Sequence, residues 1–408
     1  DKMKNKKIEK RINDSNKDYE YIVSFPHIGN YYVPIYNLLN HLVDKNKVKV
    51  LMPKRITDNT IMYGAKCSPD FACLPFKYNM GNYIESLENG ANVLIQAGGG
   101  CRYGYYYEVQ EQILKDMGYN FTFIPLVDEN GMNVLNVYEK FKILNGKLKF
   151  KKFCYYFLLG FKMIYILDEI ETYMRNNFTY QVGEDKYTKI HQELLRDMLN
   201  INNFYELRKL NVKYKKRIKE IILKQDNKND IKIGIVGELF TSMEPNSSFF
   251  LEKELNKLNC KVKRYTTVTY LLFQKGFAEK KIMKRASSYI KYHLGADGPE
   301  SVAHTLELID QGYDGIIHIK PFGCSPEINA MPILQKISLE KNIPIMYLTF
   351  DEQTSATGIK TRIEAFYDML KMKKENILDG NLNKEEKEVK KESLEISEDV
   401  KTKLQTQT

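Results

Sequence analysis

Short apolar runs that read as strands alternate with stretches of helical periodicity in two separate blocks, and this rhythm restricts the fold more than any single motif does. In the first block the runs are YEYIVSF, KVKVLMP, ANVLIQA and NFTFIPL, with helices expected over VPIYNLLNHLVD, GNYIESLENG and YYYEVQEQILKDMG. In the second they are IKIGIVGEL, KVKRYTTVT, GIIHIK and IPIMYLTF. Helices there are expected over FFLEKELNKLN, a long stretch ending near Leu294, ESVAHTLELIDQG, INAMPILQKISLEKN and TRIEAFYDMLK. Strands alternating with helices predict a parallel, doubly wound sheet in each block. From about Asn133 to Gln225 the periodicity is helical throughout. The expected fold is α/β: two Rossmann-like or flavodoxin-like parallel-sheet domains with a helical connecting segment. The boundaries fall at a basic leader 1–18, an N-terminal domain 19–132, the helical segment 133–229, a C-terminal domain 230–373 and a charged tail 374–408. A chain of 408 residues with 43% hydrophobic content suits two such cores.

The net charge of +10 invites a nucleic-acid reading, but lysine, asparagine, isoleucine and tyrosine are abundant throughout, as an AT-rich coding bias produces. The densest basic run, VKYKKRIKEIILK, reads as a solvated helix face, so no nucleic-acid partner is expected. No stretch reaches the ~18 uninterrupted apolar residues of a membrane span, since FCYYFLLGFKMIYIL is broken by Gly160 and Lys162. The polar leader DKMKNKKIEKRIND lacks the apolar core of a secretory signal. Six cysteines in so long a chain do not make a disulfide scaffold, which points to a reducing cytoplasm.

Three of those cysteines stand out: Cys73 in CSPDFACLPFK, Cys101 in AGGGCRYGYY and Cys324 in KPFGCSPE. They are too far apart for one local hairpin, so only a folded protein brings them together. Cys101 and Cys324 each follow a strand-like run with glycine at the turn, and ligands of open α/β sheets bind outside the carboxyl ends of the strands. Thiolates placed there, from two halves of one chain, point to a metal or iron–sulfur centre in the crevice between them. Three thiolates with an open position also suit zinc. Cys67 is a candidate fourth ligand, whereas Cys154 in an apolar helix and Cys260 before a strand read as small buried hydrophobes.

The turn at Gly98, Gly99 and Gly100 reads either as a phosphate cradle or as room for a bulky cluster. Its spacing departs from GxGxxG, and no GxxxxGK[ST] occurs. His27 follows the first strand and faces the expected crevice, although a lone histidine is more often a structural hydrogen-bonder than a catalyst; Lys77, Arg102 and Lys320 adjoin the cysteine loops, where they balance charge, hold an anionic substrate or are simply solvated. Asp351, Glu352 and Thr354 follow the last strand, where they bind a polar ligand group or cap the next helix, for which Thr361 reads as the N-cap.

FPHIGNYYVP, PDFACLPFKYNMGNYIESLENGA, AGGGCRYGYYYEVQEQILKDMGY, VGELFTSMEPNS, KPFGCSPEINAMPILQKIS and TFDEQTSATGIKTRIEAFYDML together resemble the CoA-protein activase, or acyl-CoA dehydratase activase-related, family. That family is similar to the 2-hydroxyglutaryl-CoA dehydratase component (HgdB-like) proteins of anaerobic bacteria, and the resemblance runs from about Tyr21 to Leu370. It implies a [4Fe–4S] cluster on three cysteines, matched here by Cys73, Cys101 and Cys324, with one iron open; Cys67 is not part of the family pattern. It also implies an actin-like ATPase activator as electron donor and radical loss of water from a 2-hydroxyacyl-CoA. The chain departs from the family in being one polypeptide that resembles one component, where the dehydratases use two unlike cluster-bearing subunits. A reductive enzyme acting on an acyl-CoA or other small substrate is therefore expected, with His27, Lys77 and Arg102 as candidates for positioning it. The alternatives are an electron-transfer or activating accessory protein without its own substrate, or a zinc–thiolate protein.

Overall fold

Among the described residues, eight strands, all parallel to their neighbours, make two four-stranded sheets. The computed structural model describes residues 19–98, 101–127, 133–183, 185–224 and 230–378; the leader, most of the charged tail, Gly99 and Gly100 lie outside them. In the first half, β1 (Tyr21–Ser24), α1 (Tyr32–Leu42), β2 (Val48–Val50), α2 (Asp58–Cys67), α3 (Leu74–Glu88), β3 (Val93–Gln96), α4 (Tyr106–Asp116) and β4 (Thr122–Pro125) follow in order. Four helices come next: α5 (Val134–Lys142), α6 (Phe150–Asn177), α7 (Lys186–Met198) and α8 (Phe204–Lys219). The second half runs β5 (Lys232–Gly237), α9 (Leu239–Met243), α10 (Leu251–Lys257), β6 (Lys261–Arg264), α11 (Lys275–Ala286), α12 (Gly298–Asp310), β7 (Gly315–Pro321), α13 (Ser325–Lys341), β8 (Ile345–Phe350) and α14 (Ala356–Leu378). The α/β architecture expected from the sequence is the one found.

The two sheets share one strand order, β2-β1-β3-β4 and β6-β5-β7-β8. Val23 stands opposite Val93 in the first, and Ile235 opposite Ile317 in the second. In each, the chain leaves the first strand to one side and returns on its other side, so the order reverses between β1 and β3 and between β5 and β7. Crevices at such reversals are where open α/β sheets bind ligands. Both faces of each sheet are covered, which is why β3 and β7 are buried along their whole length. In the first sheet, Val23, Val93 and Ile95 pack toward Leu39, Leu42, Phe141 and Phe153. Their alternates Ile22 and Leu94 pack toward Met80, Tyr83, Ile84 and Leu114, as the two-residue period of a strand requires.

The helical segment has a core of its own, in which Met163, Leu167 and Ile170 of α6 meet Leu194 of α7 and Tyr214 of α8. Tyr31 and Val33 from the first half and Met243 from the second enter the same core. Asp168 of α6 is a polar counterpart: one oxygen accepts from the Tyr31 hydroxyl at 2.5 Å and the other from the Thr269 amide at 2.7 Å. Contact between the halves is also direct, since Ile56, Leu74 and Tyr78 share a core with Ile233, Ile235, Ile319 and Phe350.

Several local expectations are corrected. Helix α3 starts at Leu74, directly after Cys73, instead of at Gly81, because Pro75 in its first turn has a φ already suited to a helix. Cys67, read as a candidate fourth ligand, is the last residue of α2. Strand β6 ends at Arg264, and a π-helical turn occupies Tyr270–Gln274. Thr361 is not an N-cap: α14 begins at Ala356, and the Thr361 hydroxyl bonds back to the Thr357 carbonyl.

Candidate metal centre

Each of the three cysteines stands at the N-terminal boundary of a helix. Cys73 precedes α3, Cys101 precedes the 3-10 turn Arg102–Tyr105 that leads into α4, and Cys324 precedes α13. Backbone N–H groups at such ends favour negative charge and thiolate formation. The Tyr103 amide lies 3.5 Å from Cys101 Sγ, and the Tyr106 hydroxyl only 2.6 Å from Cys73 Sγ.

Gly323 brings two of these loops together across the halves. A Cβ there would stand 3.2 Å from the Phe71 carbonyl oxygen and 3.7 Å from Cys73 Cα and Cβ. The thiols also influence one another weakly: Cys101 raises the Cys73 pKa, and Cys73 that of Cys324. Burial is the main influence at Cys73 and Cys324, pushing Cys73 up to about 12 and raising Cys324, and Tyr106 opposes it at Cys73; Cys101 lies exposed, with the Tyr103 amide favouring its thiolate. The metal-free thiols are therefore protonated near neutral pH, and a bound metal would displace those protons.

Glu238, which no sequence reasoning singled out, is felt by all three thiols. It follows β5 at the reversal of the second sheet. Gly237 makes its placement possible: with φ at +135°, a Cβ there would fall 1.9 Å from the Ile319 carbonyl oxygen, to which the Glu238 amide donates at 2.9 Å. The Glu238 carboxylate caps α9, accepting from the Phe240 and Thr241 amides, each at 2.9 Å, and from the Thr241 hydroxyl at 2.7 Å. Burial nevertheless pushes its pKa up to about 7 against those bonds. A carboxylate at the carboxyl end of a strand, after a glycine, was the available signal in VGELF.

The Cys324 loop rests on a buried brace. His318 Nε2 of β7 is 2.7 Å from Glu327 Oε2 of α13, which also accepts from the Ser301 hydroxyl at 2.9 Å. Lys320 is buried beside the loop, its Nζ 3.4 Å from the Phe322 carbonyl; burial lowers its pKa, and Cys324 and Glu327 oppose that. Next to Glu238, Gly237, Thr266, Tyr270, Asp297, Glu300 and His304 line a cavity with room for about one water.

The other candidates are placed differently. His27 is buried, with Nδ1 2.9 Å from Glu244 Oε2. Lys77 is buried and reaches across to Glu352 at 2.8 Å. Arg102 is exposed beside Cys101. Asp351 and Thr354 bond to one another at 2.8 Å in the turn before α14. Cys67 packs in the apolar cluster of Tyr63, Met80 and Tyr119; Cys154 lies on α6, and Cys260 is fully buried before β6.

Among the described residues, no three His, Cys, Asp or Glu side chains form a group able to hold a metal ion. Thiolates around one tetrahedral zinc must converge to within about 4 Å of one another, given metal–sulfur bonds near 2.3 Å. Those of a multi-iron cluster each hold a different iron and stand farther apart. Soft sulfur donors at three helix N-termini, with a buried lysine beside them, have the chemical character such a cluster requires.

The family described as 2-hydroxyglutaryl-CoA dehydratase, D-component, matches residues 162–370. The chain belongs to this family. The match to the D-component takes in most of the helical segment and the second sheet, including Glu238 and Cys324, while Cys73 and Cys101 precede it. No curated protein matches the chain. A solved structure from Clostridium difficile 630, described provisionally as a phosphosugar isomerase, covers 88% of this chain and 86% of its own at 12% identity with a TM-score of 0.17, which is too slight to carry an argument. No helix among the described residues is long and apolar enough to cross a membrane.

Proposed function

We propose that Cys73, Cys101 and Cys324 hold a [4Fe–4S] cluster with one iron left open, and that this D-component protein uses it for reductive chemistry on an acyl-CoA or a similar small substrate in the cytoplasm. An actin-like ATPase activator is the proposed source of electrons, since the sequence has no GxxxxGK[ST] of its own. The observation that supports the reading is the contact of the Cys324 and Cys73 loops at Gly323, with all three thiols at N-terminal boundaries of helices and two of them in loops that follow strands at the reversals of the two sheets. Cys67, Cys154 and Cys260 sit in other surroundings, which supports a vacant coordination position and favours an enzyme over a pure electron carrier.

A cluster of this kind supplies Lewis-acid and one-electron chemistry to a bound thioester carbonyl. The chain's own residues bind and orient. Arg102, exposed beside Cys101, is placed to take an anionic part of the substrate. His27 and Lys77, through Glu244 and Glu352, hold the two halves in register and act by positioning. Spectroscopy of the reduced, anaerobic protein with and without added acyl-CoA tests this reading. A substrate-induced change in the cluster signal supports catalysis at an open iron, whereas no change across a ligand panel, with Cys67 shown to bind iron, would favour an electron carrier.

A further inference from the structure

The Tyr106 hydroxyl stands 2.6 Å from Cys73 Sγ. Tyr106 is the first residue of α4, and its ring is held edge-on by Phe76, with centroids 4.9 Å apart. Phe76 lies in the first turn of α3, the helix that Cys73 immediately precedes, so sulfur and hydroxyl are fixed from the same short stretch. The Gln110 amide, one turn along α4, donates to the Phe76 carbonyl at 3.1 Å and ties the two helices together. Beside it, Tyr103 has a different partner: its hydroxyl accepts from Asn79 at 2.9 Å.

A thiolate has no proton to give, so in the deprotonated, metal-holding state the hydroxyl must be the donor. A phenol with an ordinary pKa of about 10 keeps its proton near neutral pH and can donate it. A hydrogen bond to a ligating sulfur stabilises the more negative state of a cluster. We propose that Tyr106 is a positioning residue that sets the reduction potential of the centre by donating its hydroxyl hydrogen bond to Cys73. The inference rests on the cluster reading above and adds a residue which that reading does not need.

The test compares the reconstituted full chain with Tyr106→Phe and, as a control one residue along the same helix, Tyr107→Phe. Tyr106→Phe removes only the hydroxyl. It should lower the equilibrium constant for one-electron reduction roughly tenfold, a negative shift of about 59 mV at 59 mV per tenfold. Tyr107→Phe should leave the potential in place. Because Tyr106→Phe might be blamed for poor loading, 3,5-difluorotyrosine incorporated at position 106 supplies a second measurement: it keeps the ring, donates more strongly and should move the potential in the positive direction. Iron–sulfur stretching bands should also shift between H2O and D2O in the natural chain and shift less in Tyr106→Phe. An unchanged potential in a fully loaded Tyr106→Phe overturns this inference and leaves the cluster reading standing. A natural chain that takes up no iron and sulfide overturns both.

Discussion

Glu244 Oε2 accepts two hydrogen bonds from the other half of the protein, from His27 Nδ1 at 2.9 Å and from the Gly29 amide at 2.7 Å. An ionised carboxylate can only accept, so His27 carries a proton on Nδ1. Burial pushes the Glu244 pKa up, but the His27 bond and charge, with Asn246 and the Gly29 amide, outweigh it and hold the carboxyl below its ordinary 4.5. The stability this contributes is fully present above pH 4.5 and is lost as pH falls through the lower, folded value. Glu244→Gln should flatten that acid-side slope in urea unfolding. His27→Ala leaves the carboxylate buried with fewer partners and should cost about 3 kcal/mol.

Lys77 is 3% exposed at its side chain and Glu352 31%, so their pair is only partly shielded from water. A double-mutant cycle on Lys77→Met and Glu352→Gln should return a coupling of about 1 kcal/mol, between the values typical of exposed and of buried pairs. A coupling near zero would show that the pair does not fasten the halves.

Glu238 is displaced in the opposite direction to Glu244. Its folded pKa of about 7 lies above the ordinary 4.5, so the folded state holds a proton that the unfolded state has released. Stability should therefore fall as pH rises from 4.5 toward 7, by an amount on the order of 3 kcal/mol, and stay level above that. In Glu238→Gln this decline should be absent when metal-free protein is unfolded across the same pH range.

Much of the fold was legible because strand and helix periodicities are local. All eight strands fall on the apolar runs read from the sequence, and ANVLIQA and GIIHIK deliver Cys101 and Cys324 to strand ends as expected. What was hidden depends on partners distant in sequence. Nothing near His27 announces Glu244, and nothing near Lys77 announces Glu352, so two side chains expected to meet substrate turn out to be occupied between the halves. Glu238 was overlooked because its placement arises only when β5 is laid beside β7, where Gly237 meets Ile319. Cys67 drew attention by its closeness to Cys73 in sequence, yet the end of α2 carries it into an apolar cluster.

Iron and acid-labile sulfide per chain, measured after anaerobic reconstitution, test the central claim most directly. The natural protein should hold about four of each, and Cys73→Ser, Cys101→Ser and Cys324→Ser should each lose them, while Cys67→Ser, Cys154→Ser and Cys260→Ser keep them. Stoichiometric zinc without sulfide, or a full complement of iron and sulfide in any of the first three variants, would contradict the account.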